Sequence, residues 1–366
     1  LSKKIKLLIL LLVLLIVGLT YWTMKNPDTR GYINNKINAF QGKTLNSDFS
    51  TKIKSANLST DYKIEVALED IKNFDLNTLN IPVAVDVDSL SSSDFTINKA
   101  SLDKAKKLIK SIKNKKLNIV LEPYPWIAKG TLSEIDWEPD NIDVFFYNWN
   151  NKILKVLIDE IAVPYHVDAI YVGSNFEQME FAEDKWAETI DFVRAYYKGL
   201  ITYRTNKWDT AHWKPSTIEY YENKLNNKLF SKLDFISIAA YFELTDKDTT
   251  TVEDLVQCLG STTRYDRKQN VYQEIKNFHD KWNKPIFFGE LGFPKTKKAS
   301  IEPWNAYLTD EVSSQAQANC FEAYRQVFEK EPWHLGFSIF AIGERSEDKR
   351  YYPGEESKKV INEWYK

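Results

Sequence analysis

Lys284-Pro-Ile-Phe-Phe-Gly-Glu-Leu-Gly-Phe-Pro294 is an apolar run that carries a single carboxylate, Glu290, near its end. A short buried strand that stops on an acid and then turns through Gly292 and Pro294 is how a parallel barrel presents a chemical group at its C-terminal face. An acid in that position can equally cap a helix or meet a lysine, so the other strand ends decide between the two readings.

Working outward, apolar runs alternate with amphipathic ones. Strands are expected at Leu79 to Val87, Leu117 to Pro123, Asp168 to Ser174, Leu200 to Thr205, Phe235 to Phe242, Lys284 to Gly289 and Leu335 to Ile342, with a short first strand near Ala39 to Gly42. Helical spacing runs through Tyr62 to Phe74, Ala100 to Lys115, Phe145 to Ile161, Lys185 to Tyr197, Ser216 to Lys228 and Ser314 to Glu329. Continuous apolar strands separated by helices indicate a parallel sheet covered on both faces. Eight of them over roughly 300 residues favour a closed (β/α)8 TIM barrel over an open doubly wound sheet. No glycine-rich phosphate loop follows any strand, so no nucleotide is implied.

The 366 residues are 43% hydrophobic and 14% aromatic, enough for a large core. With 49 basic against 51 acidic residues there is no basic excess of the kind nucleic acid demands. The lysines between Lys104 and Lys116 interleave with Leu108, Ile109 and Ile112 at helical spacing and read as a solvated helix face. Cys258 and Cys320 carry no framework signal; free thiols and a single disulfide both remain open.

The N-terminus has another character. Lys3, Lys4 and Lys6 precede Leu7 to Met24, which is uncharged and mostly Leu, Ile and Val. At about 1.5 Å per residue this run just spans a bilayer core. The exit Gly18-Leu-Thr-Tyr-Trp22 lacks the small-x-small pattern of a cleaved signal peptide, and Tyr21 and Trp22 suit the membrane interface. The expectation is a transmembrane signal-anchor over residues 1–24, a tether over 25–37 and a barrel domain over 38–366. The flanking lysines place the barrel outside the cell membrane. No cysteine follows the apolar run closely, so a lipid anchor is not expected.

The strand ends bear Asp86 and Asp88, Glu122 and Tyr124, Asn175 and Glu177, Arg204 and Asn206, Tyr241 and Glu243, Glu290, and Glu344 with Arg345. Of four histidines only His212 falls in a loop on this face, too few for a histidine-built zinc site and a thin basis for a Ser-His-Asp triad. No metal or organic cofactor is implied. What remains is paired-carboxylate chemistry on a glycosidic bond. Trp126, Trp137, Trp149, Trp208, Trp213 and Trp304 offer flat faces for sugar rings, although any single tryptophan is more commonly core.

From Leu117 onward the chain resembles glycoside hydrolase family 113, the clan A barrels that include β-mannanases. The carrying segments are Leu117-Asn-Ile-Val-Leu-Glu-Pro-Tyr124, Ile170-Tyr-Val-Gly-Ser-Asn-Phe-Glu177 and Trp186 through Tyr203. Phe235-Ile-Ser-Ile-Ala-Ala-Tyr-Phe242, the Lys284 to Phe293 run, Pro303-Trp304 and Trp333-His-Leu-Gly-Phe337 complete them. The resemblance implies that Glu290 is the nucleophile and that Tyr241 lies beside it. The family's acid/base glutamate ends the fourth strand, where this chain has Asn175, with Glu177 two residues later. Similar proteins read Lys-Pro-His on the third strand, against Glu122-Pro123-Tyr124 here, and a tryptophan-rich last strand, against Phe337-Ser-Ile-Phe-Ala341.

Two expectations follow. In the first, the protein is a membrane-anchored extracellular glycoside hydrolase that cleaves a β-linked polysaccharide with retention. Glu290 attacks, Glu177 is the acid/base, and Glu122 is a neighbouring alternative. Asn175, Tyr241, Glu122, Tyr124, Trp126, Arg204 and Trp304 contact substrate. Residue 177 lies about 6 to 7 Å beyond 175 along a strand, so a fold-back is required to reach the roughly 5 to 5.5 Å carboxyl separation of a retaining pair. In the second, the barrel has lost its acid and binds carbohydrate, or serves surface polysaccharide assembly, without hydrolysis.

Overall fold

The computed structural model describes residues 52–112, 117–248 and 250–366. The expected anchor, the tether and the strand expected at Ala39 to Gly42 lie outside these residues. Among the described residues no helix is long and apolar enough to cross a membrane.

Eight parallel strands close into a barrel: β1 (Ile53–Leu58), β2 (Thr78–Val87), β3 (Asn118–Ile127), β4 (Ala169–Ser174), β5 (Leu200–Asn206), β6 (Ile236–Ala239), β7 (Ile286–Leu291) and β8 (His334–Ile342). β1 closes the ring by pairing with both β8 and β2. A two-residue strand, Thr96–Ile97, runs antiparallel on the overhang of β2.

The first strand corrects the sequence expectation, since Ile53–Leu58 occupies its place. It reads Ile-Lys-Ser-Ala-Asn-Leu, yet all six residues are buried. A strand whose inward positions feed a polar layer need not be apolar, which is why periodicity passes over it.

Helices coat the barrel between strands. Val271–Trp282 has Asn270 at its N-cap, accepting from the Gln273 amide, and ends on Asn283 in the left-handed conformation. The helical segment 142–162 is interrupted by π-helical stretches at Trp149–Leu154 and Ile158–Ala162. Cys258 and Cys320 are buried in helices and free.

The interior is layered. Ile53, Val120, Ala169, Tyr171, Phe235, Phe287 and Leu335 form a closed apolar cluster distinct from the larger core under the helices. Inward positions alternate along β3 and β5, so the side chain one step beyond Val120 is Glu122 and, past Leu200 and Thr202, β5 presents Arg204. The apolar plug is the floor on which a polar layer rests.

Candidate active site

Glu290 ends the inward-facing part of β7 and is nearly fully buried. Its neighbour Gly289 explains how the strand fits. A β-carbon there would lie 2.0 Å from Ser237 Oγ and 2.5 Å from Tyr171 Oη, which are themselves hydrogen bonded at 3.0 Å. Only a hydrogen at position 289 lets these polar side chains pass under the acid. The Gly289 carbonyl accepts from Asn57 Nδ2 at 2.8 Å, tying β7 to β1 across the barrel.

Arg204 organises the centre. Only 1% of its side chain is exposed, and its guanidinium carbon lies 5.1 Å from the Tyr171 ring centroid. Its Nη2 is 2.6 Å from Glu290 Oε1, and its two terminal nitrogens grip the two oxygens of Glu122, Nη1 donating to Oε2 at 3.1 Å. Asn80 Nδ2 also donates to Glu122 Oε2, at 2.5 Å. Both oxygens of Glu122 are therefore committed to Arg204 and Asn80, which makes it a structural anion rather than a proton donor.

Burial pushes Glu290 up to about 7. The Arg204 charge and the Tyr241 hydroxyl pull the other way, and the negative charges of Glu122 and Glu134 push with burial. Tyr241 makes a hydrogen bond to Glu290 and packs edge-on against Phe340 and Tyr351. Its phenol is held well above its ordinary value by burial and by the Glu290 charge, so it is a hydrogen-bond donor.

Above this layer opens a cleft of about 270 Å³, lined by Asn57, Asn80, Glu122, Tyr124, Arg204 and Glu290 below, by Phe340 on β8, and by Tyr307, Lys349, Arg350, Tyr351 and Tyr352 from the loops after β7 and β8. Lys349 pairs with Asp61 at 2.7 Å across one edge. A second cavity, lined by Asp86, Val87, Asp88, Trp126, Ala128 and Lys129, lies along the overhang of β2 and β3.

The structure thus gathers Glu290, Glu122, Tyr124, Arg204 and Tyr241. It does not bring Glu177 to them. Glu177 accepts from Tyr220 through Oε1 and from Asn206 through Oε2, at 3.0 Å for the latter, and neither it nor these partners line the cleft. The fold-back it needed is absent, because β4 ends at Ser174 and Asn175 turns the chain with φ of 57°. Trp126 lines the second cavity instead and packs over Gly130. Trp304 is half exposed, its Nε1 donating to Glu243 at 2.9 Å. Trp137, Trp149 and Trp208 are core, while Trp213 remains exposed. His212 is exposed and outside the cleft. Among the described residues no group of His, Cys, Asp and Glu could hold a metal ion.

One acid was passed over by sequence reasoning. Glu134 sits on a short helical turn, Glu134–Asp136, in the loop after β3. Asn175 Nδ2 donates to Glu134 Oε1 at 3.1 Å, and the Glu134 charge acts on Tyr124 and on Glu290. Burial raises Glu134 above the usual carboxylate range, against the Asn175 hydrogen bond. No strand ends on it and no motif surrounds it, so only the fold reveals it.

Known structures share this architecture. A GH113 β-1,4-mannanase superposes with a TM-score of 0.64 at 20% identity, covering 86% of this chain and 98% of that one. The GH113 β-mannanase AaManA from Alicyclobacillus acidocaldarius, in complex with ManMIm, superposes at 0.66 and 17% identity with the same coverage. A β-glucuronidase from Ruminococcus gnavus superposes at 0.54 and 12% identity, covering 86% of this chain and 49% of that one. These identities establish a common fold. No curated protein gave a significant sequence match. Residues 57–359 match the sequence model of Glycoside Hydrolase Family 113, most of the chain and the whole of the site just described, and the chain therefore belongs to that family of glycoside hydrolases.

Proposed function

We propose that the protein cleaves a β-linked polysaccharide, mannan-like or a cell-surface glycan, with retention of configuration, and that Glu290 is the nucleophile. The observation that carries this reading is the Glu290 carboxylate at the base of an open cleft, held by Arg204 at 2.6 Å and by the Tyr241 hydroxyl. Attack on an anomeric carbon needs an anion fixed in place by donors that need not reorganise during the step, and these two groups supply that. Tyr307, Tyr351 and Phe340 give the cleft aromatic walls suited to sugar rings. The mannanase neighbours support mannan as the first polymer to test.

The reading extends to location. An uncharged run from Leu7 to Met24 behind three lysines supports a single-pass anchor with the barrel outside the cell. Full-length chain that leaves membranes in high-salt or carbonate washes would remove that part of the proposal.

A panel of soluble β-linked polysaccharides, mannan first, tests the function. Reducing ends should appear with wild type and fall by at least about 10³-fold with Glu290→Gln. The competing reading, a barrel that binds glycan without cutting it, rests on Asn175 where the family's acid is expected. It predicts binding by both proteins and no new reducing ends from either.

A further inference from the structure

Asn175 stands where the family's proton donor is expected, yet its side chain is itself bonded to a carboxylate. We propose that Glu134, carried on the turn after β3, is the acid/base of this barrel, with Asn175 as its positioning residue. The inference rests on Glu290 being the nucleophile.

Three observations carry it. The first is place: Asn175 Nδ2 contacts Glu134 Oε1 at 3.1 Å, so this carboxylate lies against the side chain that follows β4, and although neither residue lines the cleft itself, the Glu134 charge is felt by Glu290 and Tyr124, which do. The turn is also held firmly. Gln178 Nε2 donates to the Ile135 carbonyl at 3.2 Å, Ser133 Oγ accepts from the Ile135 amide, and three residues on Trp137 is fully buried, donating through Nε1 to Ser92 O at 3.0 Å. A proton donor must sit within a few tenths of an ångström of its target, and a loop fastened on both sides can provide that.

The second is the company Glu134 keeps. Most buried acids around the site meet cations: Glu122 and Glu290 meet Arg204, Glu180 meets Lys224, and Glu243 meets Arg267, while Asp168, at the far end of β4, accepts from the Ile119 amide instead. Glu134 has no ion pair among the described residues, and its carboxylate is turned to a neutral amide. An amide suits a group that gains and loses a proton in each turnover, since Nδ2 donates to the carboxylate and Oδ1, after a flip, accepts from the acid. Desolvation of this half-buried side chain favours the protonated form and outweighs the Asn175 hydrogen bond and the Arg204 charge, which act against it, as a general acid requires.

The third is an orphan. Asn175 is 4% exposed, and its Oδ1 has no hydrogen-bond partner. A buried acceptor left open beside the Glu134 carboxylate is a place for a sugar hydroxyl.

In the first step the Glu290 oxygen bonds to the anomeric carbon as the glycosidic C–O bond breaks. The leaving oxygen keeps the electron pair and takes the proton from Glu134. In the second step water attacks the anomeric carbon, gives its proton to Glu134, and the bond to Glu290 breaks, restoring both residues.

The test compares full-length wild type, Glu134→Gln, Glu177→Gln and Glu290→Gln on the polysaccharide and on a 2,4-dinitrophenyl β-glycoside, with and without sodium azide. Dinitrophenolate leaves without a proton, and azide attacks without a base. Glu134→Gln should lose about 10² to 10⁴-fold on polysaccharide and much less in the first turnover of the aryl glycoside. Azide should restore its turnover and yield a β-glycosyl azide, a product a merely structural role would not create. Azide should rescue neither Glu177→Gln nor Glu290→Gln in this way. Asn175→Ala should move the high-pH limb of the wild-type profile upward, because the hydrogen bond it removes favours the Glu134 carboxylate.

Polysaccharide cleavage by Glu134→Gln near the wild-type rate, with Glu290→Gln inactive, would overturn the role of Glu134 and leave the nucleophile standing. Equal losses on both substrates without azide rescue would do the same. A wild type inert on every substrate would overturn both proposals.

Discussion

Arg204 Nη2 lies 2.6 Å from Glu290 Oε1 while the same guanidinium holds Glu122, so one buried cation serves two buried anions. Removing the cation strands two nearly buried carboxylates beside each other. Arg204→Met should cost about 3–5 kcal/mol of stability in urea unfolding, the usual consequence of deleting one member of a buried ionic cluster. A cost under about 1 kcal/mol would show that the charges are better hydrated than their burial implies.

The same cluster sets a pH dependence. Glu290 must be ionised to attack, and burial raises it to about 7. Activity should therefore be low in acid and rise with pH through about 7, seen as the acidic limb of kcat/KM. The Glu122 charge contributes to that elevation, so Glu122→Gln should move the limb to lower pH. A limb that stays in place or moves up would contradict this coupling.

Gly289 links fold to site. Gly289→Ala puts a methyl group 2.0 Å from Ser237 Oγ and should destabilise the protein by about 1–3 kcal/mol, with a fall in kcat because Glu290 is the next residue. Ser237→Gly removes the first atom the methyl meets, and combined with Gly289→Ala it should return part of the stability in a double-mutant cycle. Simple additivity would place the strain elsewhere.

Trp304 is the one tryptophan from the loop after β7, and its ring is fixed by the bond to Glu243, itself 2.9 Å from Arg267 Nη1. Half-exposed and held in orientation, it is suited to stack on a polymer beyond the cleft. Trp304→Ala should raise KM for polysaccharide by about two- to ten-fold with kcat little changed, the scale of one aromatic contact. An unchanged KM would remove it from the binding surface.

The barrel is legible in the sequence because parallel strands buried on both faces must be apolar, and runs such as Ile286 to Leu291 announce themselves. Glu290, Tyr241, Glu122 and Arg204 are legible for the same reason, since each stands at a known step from such a run. β1 is not, because Lys54, Ser55 and Asn57 break its apolar character while Asn57 serves the polar layer. Glu177 illustrates a different limit. Strand alternation predicts its facing only while the strand continues, and the turn at Asn175 ends that rule. Glu134 was invisible because a loop residue acquires its neighbours from the tertiary fold alone. The tryptophans divide likewise: Trp137 and Trp149 pack, mostly edge to face, in one buried aromatic cluster with Phe95, Phe145 and Phe176, a fate that spacing does not reveal.

The central claim is that Glu290 forms a covalent bond to the sugar. The most direct measurement is mass spectrometry of the full-length protein after incubation with a panel of activated 2-deoxy-2-fluoro β-glycosides, followed by peptide mapping. One fluorosugar adduct per chain, on the peptide containing Glu290 and absent from Glu290→Gln, is the expected result. Polysaccharide hydrolysis by wild type with no adduct, or with the adduct on another carboxylate, would contradict the account.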